Sequence, residues 1–117
     1  KSCILLILCA IISNFLIYNF KTKEYTPYLE NSFISNNIYS ITGGRSEILP
    51  NGDLFVEESN FARTLYFNSD GSLKWLHLNK SINGDPYLIN WSRILYTKKD
   101  INKVQKFINS RVKCNEK

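Results

Sequence analysis

The sequence predicts a mainly β chain whose centre is an antiparallel meander, with an apolar helix before it and a short helix after it. Three dipeptides that tolerate positive φ in tight turns divide this centre: Asn51-Gly52, Asp70-Gly71 and Asn83-Gly84. The runs around them are rich in β-branched and aromatic residues, and we predict strands at 45–49, 53–58, 62–68, 73–79 and 87–96. The first four runs form two successive hairpins, so the expected topology is a four-stranded meander with a fifth strand following.

The N-terminal segment, residues 1–20, is predicted to be a membrane anchor. Residues 3–20 are apolar apart from Ser13, Asn14 and Asn19. A helix of this length spans about 27 Å, close to the hydrocarbon thickness of a bilayer. A cleaved signal peptide and a buried helix are the alternatives. We expect a membrane-anchored chain with an extracytoplasmic body, because the remainder is typical of an exported β domain.

Residues 21–40 separate this segment from the predicted strands. They are polar with scattered aromatic residues and show no sustained period, which predicts a linker or stalk. The composition changes at Ile41, so we expect the folded region to be residues 41–117.

The end of the chain carries helix signals. Thr97 followed by Asp100 approximates a capping box. The apolar residues that follow form one helical stripe: Ile101, Val104, Phe107, Ile108 and Val112. We predict a helix of about 14 residues, in the usual length range, with this stripe packed on the sheet.

The fourth predicted strand is apolar on both faces, since Leu73, Trp75 and His77 point one way and Leu76 and Leu78 the other. Both apolar faces of such a sheet must pack against other parts of a structure. A single small meander buries too little surface to shield both faces from water by itself. A four-stranded unit that stacks against similar units is typical of a β-propeller blade. We therefore expect neighbouring blades, from further chain or from a homo-oligomer.

Charge and cysteine content exclude two kinds of site. The net charge is +5, but the lysines crowd the C-terminal helix while the aromatic residues lie in the strands. A nucleic-acid interface interleaves the two on one surface, so no nucleic-acid partner is predicted. The three cysteines lack metal-ligand spacing and cannot all pair. Neither a metal nor another cofactor is predicted.

Four residues are candidates for a functional site. His77 is the only histidine and the candidate catalytic residue, as nucleophile or general base near neutral pH; a packed structural histidine is the alternative. Arg45, Arg63 and Arg93 are candidates for binding a sulfate or phosphate group through forked donors. Gly43-Gly44 permits a turn before Arg45 whose N–H groups add to such a site.

Other charged and aromatic residues are expected to be structural. Glu57 and Glu58 are adjacent in a strand and so point to opposite faces, whereas an acid–base pair must converge on one bond. One of them is expected to pair with Arg63. Trp91 and Arg93 share a face of the fifth predicted strand, which indicates cation–π packing.

The stretch SEILPNGDLFVEESNFARTLYFNSDGSLKWLHLN, residues 46–79, resembles the repeat of the arylsulfotransferase-like β-propeller family. The elements that carry the resemblance are Leu49-Pro50-Asn51-Gly52, Glu57-Glu58-Ser59-Asn60, Arg63, Asp70-Gly71 and Trp75. The segment from Asn90 to Leu95 is similar to the one that often closes the last blades of the family. The resemblance covers residues 42–96, about half of the chain.

The resemblance implies a transferase that moves a sulfuryl group from phenolic sulfate esters to phenols through a nucleophilic histidine, without nucleotide or metal. A phenolic or sulfated small molecule is the implied partner. The family often has glycine where this chain has Ala62, and some blades have a histidine–aspartate pair where it has Gly43-Gly44-Arg45-Ser46. We expect a membrane-anchored fragment or degenerate member that is inactive alone. A non-catalytic interaction or scaffold module of propeller type is the alternative.

Overall fold

The computed structural model describes residues 13–111, which form two antiparallel sheets, a short helix and a C-terminal helix. The elements, in chain order, are β1 (Leu16–Asn19), β2 (Glu24–Pro27), α1 (Glu30–Ser35), β3 (Arg45–Ile48), β4 (Leu54–Glu58), a 3-10 turn (Ser59–Phe61), β5 (Arg63–Phe67), β6 (Leu73–Leu78) and α2 (Lys98–Arg111). Strands β1 and β2 pair as a separate hairpin, and β3 to β6 form the main sheet. The prediction of a mainly β chain is confirmed.

The main sheet is a meander in which each strand pairs with its sequence neighbour, in the order β3-β4-β5-β6. The predicted turns join its hairpins: Gly52, with φ +85°, lies between β3 and β4, and Gly71, with φ +88°, lies between β5 and β6. An L side chain rarely adopts such values, which is why asparagine–glycine and aspartate–glycine dipeptides are good turn signals. The four predicted strands at 45–49, 53–58, 62–68 and 73–79 are confirmed.

The prediction of a fifth strand at 87–96 is wrong. Residues around the turn at Gly84 form only an isolated bridge between Lys80 and Pro86, and the segment that follows pairs with no strand of the described region. Trp91 has φ +62°, which interrupts an extended backbone. Side chains of the main sheet hydrogen-bond both backbone groups of Ser92, and these replace a strand ladder.

The expectation of an apolar helix over 3–20 fails in its described part. Residues 1–12 lie outside the described residues, but Leu16–Asn19 forms β1, paired with Glu24–Pro27. Asn19 Oδ1 accepts the backbone N–H of Lys21 at 2.9 Å, which turns the chain back on itself. Across residues 13–111, every helix is too short or too polar to cross a membrane.

The expectation of a linker over 21–40 is also corrected, because Glu24–Pro27 forms β2 and the chain from Tyr28 onward is folded onto the main sheet. Phe33 and Ile38 belong to the hydrophobic core. The Tyr28 hydroxyl donates to the carbonyl of Gly52, and the Ser32 hydroxyl donates to the carbonyl of Gly71 at 2.7 Å. The segment thus contacts both hairpin turns at one end of the sheet, which a sequence without periodicity did not indicate.

The core lies on one face of the main sheet, which we call the core face. Alternate residues of β4 and β5 point there, namely Leu54, Val56, Leu65 and Phe67, and pack against Phe33 and Ile38. The opposite face, here called the open face, carries the intervening residues.

Helix α2 confirms the predicted C-terminal helix and its capping box. The Thr97 hydroxyl accepts the backbone N–H of Asp100 at 3.1 Å and donates to its carboxylate. The predicted burial of the apolar stripe on the sheet is wrong for Ile101, Val104, Phe107 and Ile108, since no residue of Lys98–Arg111 is buried. Val112, the last residue of the predicted stripe, lies outside the described residues.

Candidate functional site

A polar row crosses the open face of the main sheet through all four strands. Arg45 on β3 lies opposite Glu57 on β4, Glu57 lies opposite Thr64 on β5, and Thr64 lies opposite His77 on β6. Directly opposed residues in antiparallel strands have side chains within contact range. The strand register therefore places the only histidine of the chain and one candidate arginine at opposite ends of one row.

An aromatic row runs beside the polar row. Tyr66 and Trp75 are cross-strand partners with ring centroids 5.7 Å apart, and Phe55 lies 6.2 Å from Trp75. These separations are in the range of favourable ring–ring contacts. Trp75 and His77 share the open face, as predicted, so an apolar aromatic surface adjoins the imidazole.

The irregular segment 89–94 lies over this face and is held by two side chains. Glu57 Oε2 accepts the backbone N–H of Ser92, and Arg45 Nη1 donates to the backbone carbonyl of Ser92 at 3.3 Å. Glu57 is only 2% exposed, and its other oxygen accepts the Ser59 hydroxyl at 3.0 Å. We call Arg45, Glu57 and Ser92 the clamp.

The clamp keeps the Glu57 carboxylate charged. Burial by itself raises the pKa of Glu57, but hydrogen bonds from Ser92 and Ser59 outweigh burial, so the pKa lies below its ordinary value. A charged, fully hydrogen-bonded carboxylate is suited to fixing the backbone rather than to taking up a proton.

A cavity of about 250 Å³ lies between the sheet and segment 89–94, and it unites two of the predicted site residues. His77 and Arg93 both line it, together with the rings of Phe55 and Trp75. Both His77 and Arg93 are exposed. A cavity with aromatic walls, a guanidinium and an imidazole has the chemistry to bind an aromatic anion.

The other two candidate arginines are engaged in structural contacts. Arg45 forms an ion pair with Glu47 at 3.1 Å in addition to its bond to Ser92. Arg63 Nε donates to Glu58, and its Nη2 donates to the carbonyl of Asn37 at 3.1 Å. The expected pairing of one glutamate with Arg63 is confirmed, and Glu57 and Glu58 point to opposite faces as predicted.

The predicted stacking of Trp91 with Arg93 is wrong. The positive φ of Trp91 breaks the strand geometry that would have placed both side chains on one face. Trp91 instead lines a neighbouring cavity of about 210 Å³ with Gly43, Gly44 and Arg45.

Asp53 is a buried polar centre that the sequence did not indicate. Its carboxylate accepts the Tyr66 hydroxyl and the Asn51 side-chain amide, both at 2.8 Å, and the backbone N–H of Ser69 at 3.0 Å. The hydrogen bond from Tyr66 is the largest of the effects that lower the pKa of Asp53. The Asn51-Gly52-Asp53 turn sequence was its only local signal, and its other two partners, Tyr66 and Ser69, lie further along the chain.

Metal chemistry has no candidate residues in the part of the chain that the structure describes, where no group of three histidine, cysteine or acidic side chains is placed to hold an ion.

Comparison with known proteins places the main sheet within one family. A family model described as arylsulfotransferase (ASST) matches residues 12–80. The match includes β1 to β6 and His77, and it ends before segment 89–94, which carries Arg93. Comparison with curated proteins and with solved structures gave no match.

Proposed function

Since this chain belongs to the arylsulfotransferase family, we propose that it binds a small aromatic sulfate ester in the cavity between the open face and segment 89–94. The observation that carries the proposal is the meeting of Arg93 and His77 beside the rings of Phe55 and Trp75 in that cavity. The volume, about 250 Å³, lies just below the range of about 300–1,000 Å³ for drug-sized ligands. A single-ring ester is therefore the ligand class.

The two parts of such an ester have separate recognition groups. The ring is apolar and packs against Trp75 and Phe55, since offset contacts between aromatic rings are favourable. The sulfate carries a negative charge, and the Arg93 guanidinium offers it a planar set of donors. Arg45 and Glu57 act indirectly, because they hold the backbone that presents Arg93.

In sulfuryl transfer of the family type, a histidine nitrogen attacks the sulfur, the bond from sulfur to the phenolic oxygen breaks, and the phenolate leaves with both electrons of that bond. The oxygen of a phenol then attacks this sulfur, the sulfur–nitrogen bond breaks with both electrons returning to the histidine, and the phenolic proton goes to the phenolate released in the first step. We propose that this chain by itself binds the ester but does not turn it over. Where some family blades have a histidine–aspartate pair, this chain has Gly43-Gly44-Arg45-Ser46, and His77 lies elsewhere, on β6.

We include in the proposal that the main sheet is one blade of a propeller, completed by further chain or by further copies. Exposed apolar side chains on its outer strand support this: Leu73 is 42%, Leu76 41% and Leu78 43% exposed. Light scattering of the purified chain tests whether further copies complete the propeller, since self-assembled blades would form a ring of several copies.

We also propose that the folded part is extracytoplasmic. The support is the sequence of residues 3–12, CILLILCAII, whose apolar character and length match the h-region of a signal peptide, about 7–15 residues. Fractionation of expressing cells tests this proposal, and recovery of the chain with the cytoplasmic proteins would contradict it.

Tryptophan fluorescence can test ester binding, because Trp75 lines the cavity. Titration with phenyl sulfate is expected to quench the signal saturably, and Arg93→Gln is expected to weaken binding about tenfold, or about 1.4 kcal/mol. Arg111→Gln is the matched control, since it removes the same charge from the exposed helix α2. Equal affinities for the wild type and Arg93→Gln would refute the proposed site.

Turnover is measured separately, with 4-nitrophenyl sulfate as donor and phenol as acceptor. We expect no release of nitrophenol by the purified chain. Release that His77→Ala abolishes would show that His77 is the nucleophile and that the chain is active alone.

A further inference from the structure

Helix α2 presents an apolar stripe that the described part of the chain leaves uncovered. Val104 is 39%, Ile101 and Ile108 are each 44%, and Phe107 is 61% exposed. With 3.6 residues per turn, these four side chains fall within a sector of about 120°. An isolated helix of this length is marginal in water, and an amphipathic face is normally stabilised by packing. The stripe is therefore expected to pack against an apolar surface that residues 13–111 do not supply.

The charge of the helix identifies what kind of surface fits. The described helix contains one acidic residue, Asp100, and five basic residues, and so carries a net charge of +4. The basic residues are Lys98, Lys99, Lys103, Lys106 and Arg111. The Asp100 carboxylate is engaged by the Thr97 hydroxyl in the cap. All four lysines fall outside the apolar sector, and the Arg111 guanidinium lies 5.7 Å from the centroid of the Phe107 ring. A surface that complements α2 has an apolar interior for the stripe and negative charges at its boundary for the lysines.

We propose that α2 binds in the plane of a bilayer surface that contains anionic lipids. Basic amphipathic helices lie at this boundary, with apolar side chains between the headgroups and lysines beside the lipid phosphates. Its 14 residues are about 21 Å long, which is shorter than the hydrocarbon core of about 30 Å. The helix thus lies on the membrane and does not span it. This inference is independent of the proposed ester site, which uses other residues.

Co-sedimentation of the full chain with vesicles tests the inference. One set of vesicles is phosphatidylcholine, and the other contains about one third phosphatidylserine. We expect the chain to partition at least about tenfold more strongly to the anionic set, and this preference to shrink in about 0.5 M salt, because salt screens exposed charges.

Variants of the full chain isolate the helix from every other apolar segment, which all variants share. Phe107→Ser and the double variant Lys103→Glu/Lys106→Glu are each expected to lower partitioning to anionic vesicles about tenfold, since each removes one of the two attractions. Matched controls are Ile82→Ser, at a fully exposed isoleucine, and Lys80→Glu, at an exposed lysine. Neither control is expected to change partitioning.

Two results would overturn the inference. The first is equal partitioning of the wild type and the helix variants to anionic vesicles. The second is a dimer in light scattering that Phe107→Ser converts to monomer while vesicle binding stays unchanged, which would show that a second copy covers the stripe.

Discussion

The carboxylate of Glu58 and the guanidinium of Arg63 form an ion pair across β4 and β5 on the core face of the sheet. Glu58 is 1% exposed, and its second oxygen accepts the backbone N–H of Tyr39 at 2.8 Å. Arg63 in turn donates to the carbonyl of Asn37. The pair therefore joins the segment before β3 to the adjacent ends of the two central strands, β4 and β5.

Glu58→Gln is expected to lower the free energy of unfolding by about 3 kcal/mol, because removal of one partner leaves the other charge without compensation in a buried site. Urea denaturation measures the change. Glu47→Gln is the control, since it breaks the more exposed pair with Arg45 and is expected to cost at most about 1 kcal/mol. Similar losses of unfolding free energy in both variants would show that the Glu58–Arg63 pair stabilises the fold no more than the exposed Glu47–Arg45 pair does.

Gly71→Ala is expected to destabilise the fold by about 2–3 kcal/mol, whereas Gly84→Ala costs about 1 kcal/mol. Both glycines have φ +88°, so both substitutions incur the strain of a left-handed L residue. A methyl group at Gly71 would also lie 2.7 Å from Ser32 Oγ, while Gly84 has open space. The difference in urea midpoints thus measures the contact between α1 and the turn, and equal losses would contradict it.

Ala62→Gly is expected to stabilise the protein by about 0.5 kcal/mol. Ala62 has φ +52° and is fully buried. Relief of about 1–2 kcal/mol of left-handed strain exceeds the loss of one buried methyl, about 0.8 kcal/mol. Asn37→Gly is the control, because Asn37 has a similar φ of +48° and asparagine tolerates it, so the gain there is smaller. Destabilisation of about 1 kcal/mol by Ala62→Gly would contradict this account.

Acid is expected to weaken the fold through Asp53. Its pKa is lowered, first by the hydrogen bond from Tyr66. A carboxyl with a depressed folded-state pKa contributes stability above its unfolded pKa of about 3.9, and loses it as pH falls through the folded value. Asp53→Asn should therefore flatten the fall in stability below about pH 4, and Tyr66→Phe should flatten it less. Urea midpoints from pH 2 to 6 measure this; unchanged slopes in both variants would contradict it.

Glu57→Ala is expected to weaken phenyl sulfate binding about tenfold, or about 1.4 kcal/mol, because it releases Ser92 and the adjacent Arg93 from the open face. Glu57→Gln is the discriminating control, since its amide oxygen can still accept the Ser92 N–H and its amino group can donate to Ser59. Binding is therefore expected to be retained in Glu57→Gln. Loss of affinity in both variants would show that charge, and not position, is what Glu57 contributes.

The sheet could be predicted because its signals are local. The turn dipeptides at Gly52 and Gly71 and the strands beside them lie within a few residues of one another, and the shared face of Trp75 and His77 follows from the alternation of a strand. The family resemblance rests on the same stretch, and the family comparison confirms it.

Neither the cavity nor the contact of α1 with the turn at Gly71 could be predicted, because the hydrogen bonds that form them join distant parts of the chain. Glu57 and Ser92 are 35 residues apart in sequence, and Ser32 and Gly71 are 39 apart. A polar segment without periodicity is predicted to be a linker even when its hydroxyl groups hydrogen-bond to a distant turn. A run of residues with β propensity is likewise predicted to be a strand even when the fold offers no strand for it to pair with.

The sequence by itself determined the two hairpins of the main sheet, their turns, the terminal helix and the family, since backbone preference and alternation act over a few residues. Only the tertiary structure decided that residues 28–40 pack on the core and that segment 89–94 lies over the open face. It also placed Arg93 and His77 in one cavity, while Arg45 and Arg63 make structural hydrogen bonds. Those outcomes depend on contacts between residues far apart in sequence: burial of Phe33 and Ile38 on the sheet, and hydrogen bonds that the buried carboxylates of Glu57 and Glu58 require.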